Sequence, residues 1–339
     1  GLTPHFIQYN AAFNASPAQV SGNGFLYSIA PILTVTGLTG TVSKTYDGTT
    51  AATLEGSNIA ATGLLNGNKI ASASGTYAIA DAGIEPSDID CVIVATISHL
   101  MQTPAAATTI SDELGCGAAA AFDVSAACAG FCYALSLASD MVRVGTSANT
   151  LVIGVERLSK ITNPDDRSTA FIFADGAGAV VVGPSDEPRI GPVVWGADGS
   201  KHDLITQTKT WDEMFDEGGK EWPTLHMEGS PVFRWASFEM ARTAREALDR
   251  AGVDAADLDV FVPHQANMRI TDAMARTLKL SDRVAIVRDI AEQGNTSAES
   301  IPLALERMIT DGEAKSGQSA LFIAFGAGLA YAAQVVVLP

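Results

Sequence analysis

The sequence predicts an α/β fold built as an internal duplication, with a pseudo-twofold relation between two halves. Two observations carry this. Short β-branched runs at 91–96 (CVIVAT), 151–155 (LVIGV), 179–182 (AVVV) and 259–262 (DVFV) suit strands covered on both faces, and helical patterns lie between them. In addition, AIADAGIEPSDIDCVIVAT (78–96) matches ALDRAGVDAADLDVFVPHQ (247–265), each a helix end, an Ala-Gly stop, an acidic loop and a strand. DGAGAVVVG (175–183) likewise resembles FGAGLAYAA (325–333).

Taken in order, residues 1–77 stand apart. They hold four charged side chains (Lys44, Asp47, Glu55, Lys69), no Arg and no Trp, while all four Trp follow later. The stretch 64–77 (LLNGNKIASASGTY) is rich in Gly, Ser and Asn and predicts a poor helix, so the repeat is expected to break off near residue 77. Residues 31–77 alternate Thr, Val, Leu and Gly in short β-like pieces, with turn signals at Asp47-Gly48 and Asn66-Gly67. The expected organisation is therefore an atypical β-like segment over 1–77, a first half over 78–185 and a second over 186–339. Within the second half, Val232, Trp235, Phe238, Met240, Ala244 and Leu248 mark one helix face.

Composition narrows the function classes. The net charge of −17 argues against nucleic acid or an anionic membrane as partner. No apolar run is long enough to span a bilayer, and residues 1–10 lack the basic start of a secretory signal. Four cysteines in 339 residues point to thiols in a reducing, cytoplasmic setting.

Three positions carry candidate chemistry. Cys128, in FDVSAACAGFCYALSLA (122–138), falls where a β-like lead-in meets a helical pattern starting near Ala129. A helix N-terminus favours thiolate and a strand-to-helix turn exposes a nucleophile; on local pattern alone Cys128 also reads as a small buried hydrophobe. Cys132, one helical turn on, lacks metal-site spacing, and Cys91 and Cys116 read as core thiols. His264, in VPHQANMRI (262–270), follows a buried strand, where α/β folds place their sites. Asn295, in EQGNTSAESIPLAL (292–305), follows Gly294 and precedes a helical pattern from about Ser297, which fits a helix cap as well as a catalyst.

With these surroundings, Cys128, His264 and Asn295 resemble the triad of β-ketoacyl-acyl carrier protein synthase III. The resemblance runs from about Ala78 to Pro339 through DVSAACAGF, PHQANMRI, GNTSAESIPLAL and FGAGLAYAA. It implies the thiolase-type, five-layered αβαβα fold, usually as a homodimer, and an acyltransferase that uses acyl-CoA and malonyl-acyl carrier protein without a cofactor or metal. It further implies an oxyanion hole from the backbone of Cys128 and Ala327. Arg167, Phe233 and Asn267 would contact CoA or its pantetheine arm, and Arg269 the carrier protein. Arg234, Arg242, Arg245 and Arg276 are further candidates for a local basic patch. Thr103 and Phe325 would border the acyl pocket, the small Thr103 favouring longer or branched starters.

Rival members of the superfamily fit less well. A degradative thiolase would carry a second cysteine where this chain has Phe325, and elongating synthases pair the cysteine with two histidines. Residues 31–77, through SKTYDGTTAATLEG and NGNKIASASGTYA, instead resemble the YDG-type repeat of bacterial adhesins. That leaves a non-enzymatic, adhesin-like or fusion protein as the alternative. It also leaves the family's adenine-stacking tryptophan without a counterpart in 1–77, so a fusion, a replacement or a mis-assigned segment is expected there.

Overall fold

The computed structural model describes residues 5–9 and 67–339. Of the β-like, YDG-type stretch read at 31–77, residues 31–66 lie outside them, and 67–77 are helical rather than β-like. In the first half the chain forms β1 (His5–Tyr9), α1 (Gly67–Asp81), β2 (Cys91–Ala95), α2 (Ala106–Leu114), β3 (Ala120–Val124), α3 (Gly130–Arg143), β4 (Thr150–Arg157) and β5 (Asp175–Val182). The second half continues with β6 (Val194–Ala197), β7 (Ile205–Gln207), α4 (Trp211–Asp216), β8 (Leu225–Met227), α5 (Gly229–Ala251), β9 (Val260–Pro263) and α6 (Met268–Leu278). It ends with β10 (Ala285–Ile286), α7 (Ile290–Gln293), α8 (Ser300–Thr310), β11 (Ser319–Phe325) and β12 (Ala330–Val337).

The duplication is written into the sheets. The first sheet has the order β1-β5-β4-β2-β3 and the second β10-β9-β11-β12-β6. Each holds two parallel pairings followed by two antiparallel ones: β3/β2 and β2/β4, then β4/β5 and β5/β1; β10/β9 and β9/β11, then β11/β12 and β12/β6. Helices α3 and α8 lie between the sheets, α3 touching β2, β4 and β5 on one side and β11 and β12 on the other. Helices α1 and α2 cover the outer face of the first sheet, and α5 packs with α6 on the outer face of the second. This is a five-layered αβαβα arrangement. Strand β2 (CVIVA) is buried along its whole length because helices cover both its faces.

The region before residue 78 departs from expectation in two ways. Helix α1 begins at Gly67 and crosses residue 77, so the repeat extends further back than its weak helix propensity suggested. Tertiary packing overrides that propensity. Ala71, Ala78 and Ile79 are buried, and a Cβ at Gly75 would stand 2.8 Å from Leu114 Cδ1 and 3.2 Å from Leu151 Cδ2, so the glycine lets the helix settle here without those leucine side chains turning aside. Strand β1 occupies the edge of the first sheet beside β5, the position that β6 takes in the second.

The central layer sets much of the stability. Phe131 on α3 is fully buried between the two sheets. Phe131→Ala is expected to destabilise the chain by about 3–5 kcal/mol through lost burial and the cavity left behind. Denaturant unfolding measures it.

Candidate active site

Cys128 sits where β3 hands over to α3. The chain leaves Val124, turns through a short 3-10 segment (Ala127–Ala129) and enters the helix at Gly130. Ala127 takes a left-handed φ of +46°, which tightens the turn and leaves Cys128 half-buried at a cavity wall. Gly326, in the turn after β11, backs directly onto it. A Cβ there would lie 2.6 Å from the Cys128 backbone nitrogen and 3.1 Å from the Ala126 carbonyl oxygen. Because these are backbone atoms, Gly326→Ala must displace the turn. It is expected to cost ~1–3 kcal/mol and to lower turnover far more than the melting temperature implies, which paired activity and thermal-melt assays can separate.

His264 follows β9, its N–H donating to the Ile323 carbonyl at 2.7 Å. Its Nδ1 lies 2.7 Å from the Ser300 hydroxyl, whose oxygen also accepts the Gln265 N–H at 3.2 Å. His264 Nδ1 is the acceptor the Ser300 hydrogen finds among the described residues, so we assign that hydrogen to Nδ1, which leaves Nε2 carrying the ring proton. Burial pushes the imidazole down to about 3, so the ring is neutral at physiological pH. Phe325 meets it edge-on at 5.9 Å.

Asn295 is nearly fully buried and pinned at both backbone ends, its N–H to the Ile172 carbonyl at 2.8 Å and its carbonyl to the Ala174 N–H at 2.9 Å. Gly294 permits this with φ +72°, and a Cβ there would meet the Ile172 oxygen at 3.0 Å. The side-chain Oδ1 accepts the Ser297 N–H at 2.9 Å, which caps the turn leading into α8. The two expected roles therefore divide between two atoms: the oxygen caps, and the amide nitrogen is left as a donor.

These three side chains line one cavity of about 440 Å³, together with Phe233, Asn267, Arg269, Phe325 and Ala327. A second cavity of about 990 Å³ shares Ile97, Ala127, Ile205, Leu225 and Ala327 with it and lies on the far side of that wall. Asn267 is exposed and caps α6, accepting the Arg269 N–H at 2.9 Å. Arg167 is exposed, and it is the neighbouring Ser168 that lines the first cavity. Thr103 is exposed, and Met101, Gln102 and Ala105 around it line the second.

One expectation about Cys128 is not met. The helix N-terminus does not by itself yield a thiolate: burial pushes the thiol up to about 12, a hydrogen bond from Ser297 opposes this, and the carboxyls of Glu156 and Glu299 add to it. Ser297, Ser300, Glu156, Glu299 and Gly326 escaped the sequence reading. The one usable signal was Glu156, a charged residue ending the apolar strand run LVIGV on the same face as Val152 and Gly154.

Comparison with known proteins agrees with this geometry. A family model for 3-oxoacyl-[acyl-carrier-protein] synthase III matches residues 122–199, and its C-terminal counterpart matches 248–338. The β-ketoacyl-[acyl-carrier-protein] synthase III of Streptomyces glaucescens is 59% identical over 262 residues, which cover 77% of this chain and 79% of that protein. The chain belongs to the β-ketoacyl-[acyl-carrier-protein] synthase III family. The Mycobacterium avium synthase III is 51% identical over 270 residues, covering 80% of this chain and 81% of its own length. Among solved structures of related synthases, the priming β-ketosynthase of the R1128 polyketide pathway superposes with a TM-score of 0.81 at 38% identity, over 100% of this chain and 97% of its own. The synthase III of Pseudomonas aeruginosa PAO1 gives 0.76 at 36% identity, over 80% and 84%. Membership makes this chain a thiolase-fold condensing enzyme, an acyltransferase of fatty acid synthesis. A YDG domain model also matches residues 31–98, running past residue 77 through β2. Among the described residues no helix is long and apolar enough to cross a membrane.

Proposed function

We propose that this synthase III transfers an acyl group from acyl-CoA to Cys128 and condenses it with malonyl-acyl carrier protein, giving β-ketoacyl-acyl carrier protein, CO2 and CoA. The observation that carries the reading is the convergence of Cys128, His264 and Asn295 on one cavity. In the first half-reaction Cys128 Sγ attacks the thioester carbonyl, the C–S bond to CoA breaks, and an acyl-enzyme remains. The backbone N–H groups of Cys128 and Ala327 hold the oxyanion, at the turn that Gly326 allows to close. In the second, malonyl thioester loses CO2 and negative charge develops on its thioester oxygen. The His264 Nε2–H and the Asn295 amide meet that charge as neutral donors. The carbanion then attacks the acyl-Cys carbonyl and expels the cysteine sulfur.

Phe233 and Asn267 flank the pantetheine arm, Arg167 contacts the CoA nucleotide and Arg269 the carrier protein. Arg234, which also lines the first cavity, adds positive charge toward an acidic carrier protein. The acyl chain occupies the second cavity, past Ala127, with Thr103 beside its rim and Phe325 facing the first cavity near Cys128. The working unit is a cytoplasmic homodimer that needs no cofactor or metal. Residues 1–77 form an atypical segment in place of the usual first β-α unit of the first half, whose remainder is 78–185, with the second half over 186–339, and the YDG match favours a distinct origin for part of that segment.

The test is a panel of acyl-CoA starters with malonyl-acyl carrier protein. Expected are CO2 release and a β-ketoacyl product from at least one starter. A panel that acylates Cys128 with no starter, and yields no product, would overturn the reading and leave an inactive condensing fold as the alternative.

A further inference from the structure

Next to Cys128 runs a buried polar chain that the condensation scheme leaves unused. The Ser297 hydroxyl lies 3.4 Å from Cys128 Sγ and 3.4 Å from Glu156 Oε1, so one oxygen bridges the thiol and a carboxyl. Ser297 is held there by a left-handed φ of +60° and by its N–H to Asn295 Oδ1. Glu156, on β4, is fully buried. Both its oxygens lie 3.1 Å from the Ile97 N–H, and Oε2 also accepts the hydroxyls of Thr96, at 3.2 Å, and Ser98. These partners are amides and hydroxyls, with no Lys or Arg among them.

Two glycines shape the approach. A Cβ at Gly154, on the same face of β4, would stand 3.0 Å from Glu299 Cα and 3.1 Å from the Ala298 carbonyl, so its absence lets the 297–299 turn press onto the strand. Gly176, the cross-strand partner of Glu156, does the same for Glu299, whose Oε1 would lie 3.2 Å from a Cβ there. A buried carboxyl without a cation is costly to keep for packing alone, and a hydrophobic side chain would fill the site better.

We propose that Ser297 and Glu156 form a proton relay for Cys128. As Sγ attacks the acyl thioester, the Ser297 hydroxyl turns its hydrogen from Sγ to Glu156 Oε1, the S–H proton passes to Ser297 Oγ and the Ser297 hydroxyl proton passes to Glu156 Oε1. The new bond is Sγ–C(acyl), the C–S bond to CoA breaks, and CoA leaves as a thiolate that takes a proton from water. Glu156 then stores the proton through the life of the acyl-enzyme. When the carbanion attacks and the C–Sγ bond breaks, the proton returns from Glu156 through Ser297 to the departing sulfur. The relay rests on the reading of Cys128 as the nucleophile.

The electrostatics fit this assignment. A thiol held high by burial needs a base, and His264 cannot serve because its Nδ1 accepts from Ser300 and its Nε2 already carries a proton. Burial lifts Glu156 to about 7, opposed by its hydrogen bonds from Ser98, Ile97 and Thr96, so it exchanges a proton readily near neutrality. The ionisable groups facing it are Cys128, Glu299 from the 297–299 turn and, behind Glu299 on β5, Asp175. Glu299 is buried, and burial, then the Glu156 carboxyl and, after it, Asp175, raise it well above the usual carboxylate range against a hydrogen bond from its own backbone. The 3.4 Å oxygen–oxygen contact is longer than a formed O–H···O bond and must shorten during transfer.

Difference infrared spectroscopy of the full chain at pH 8, on mixing with an acyl-CoA, tests the relay. Acylation should produce a new carboxylic-acid carbonyl band, absent in Glu156→Gln and retained in Glu299→Gln. Stopped-flow acylation should be about 10²-fold slower at pH 7 in Ser297→Ala, a variant that leaves Glu156 in place should Glu156→Gln fail to fold. Its acid limb, near pH 7 in the parent, should move to the alkaline range of the thiol itself. An acyl adduct on Cys128 without the new band, or an unmoved pH limb in folded Ser297→Ala, overturns the relay alone. Absence of any adduct on Cys128 overturns the condensation reading with it.

Discussion

Cys128→Ala is expected to lose condensation by about 10⁴-fold or more, and with it every trace of acyl adduct after incubation with acyl-CoA. The loss is this large because no second thiol lines the cavity among the described residues, and a serine hydroxyl is a far weaker nucleophile toward a thioester. Cys132, one turn further along α3, is fully buried and its thiol is pushed up to about 12. Cys91 is buried in the core between the sheets and Cys116 beneath the outer helices of the first sheet. The second half-reaction should behave differently. Decarboxylation of malonyl-acyl carrier protein calls on His264 and Asn295, neither of which bonds to the Cys128 side chain, so the variant should still release CO2. Intact-mass measurement reads the adduct and labelled malonyl substrate reads the CO2. A stable acyl adduct on the variant would show that another residue takes the acyl group.

Much of this site was legible because its chemistry sits in contiguous motifs. Cys128, His264 and Asn295 each follow a local signal, a strand end or a glycine turn, that a linear reading can find. The duplication was legible for the same reason, since 78–96 and 247–265 repeat one helix–stop–strand unit. What stayed hidden depends on contacts between distant segments. Ser297 and Glu156 are 141 positions apart, and only the close packing of the 297–299 turn onto Gly154 brings them together. The ionisation of Cys128 was misread because a helix N-terminus is a local feature, whereas the burial and the two carboxyls that oppose it come from other parts of the chain. Helix α1 was missed because its Gly- and Ser-rich sequence gains helicity from the sheet and α2 beneath it, and no propensity scale contains that term.

His264→Ala should divide the two half-reactions in the opposite sense. Removing one oxyanion donor costs about 10²–10³-fold, so CO2 release and condensation fall by that amount while Cys128 still acylates. The donor acts as a neutral imidazole, with Ser300 fixing Nδ1 and burial holding the ring down to about 3. Protonation of His264 therefore contributes no acid limb to decarboxylation between pH 5 and 8, where an unburied histidine would titrate. The same shift makes a stability statement. Between about 6.5 and 3 the unfolded chain takes up a proton that the folded ring refuses. The stability tied to this residue is thus complete above 6.5 and drains away as pH falls. Relative to His264→Ala, the parent should lose melting temperature on acidification through that window, a difference thermal melts at matched ionic strength can measure. A decarboxylation profile with a limb near 6.5 that vanishes in the variant would instead mean the imidazolium forms in the folded site, and the neutral-donor mechanism would fall.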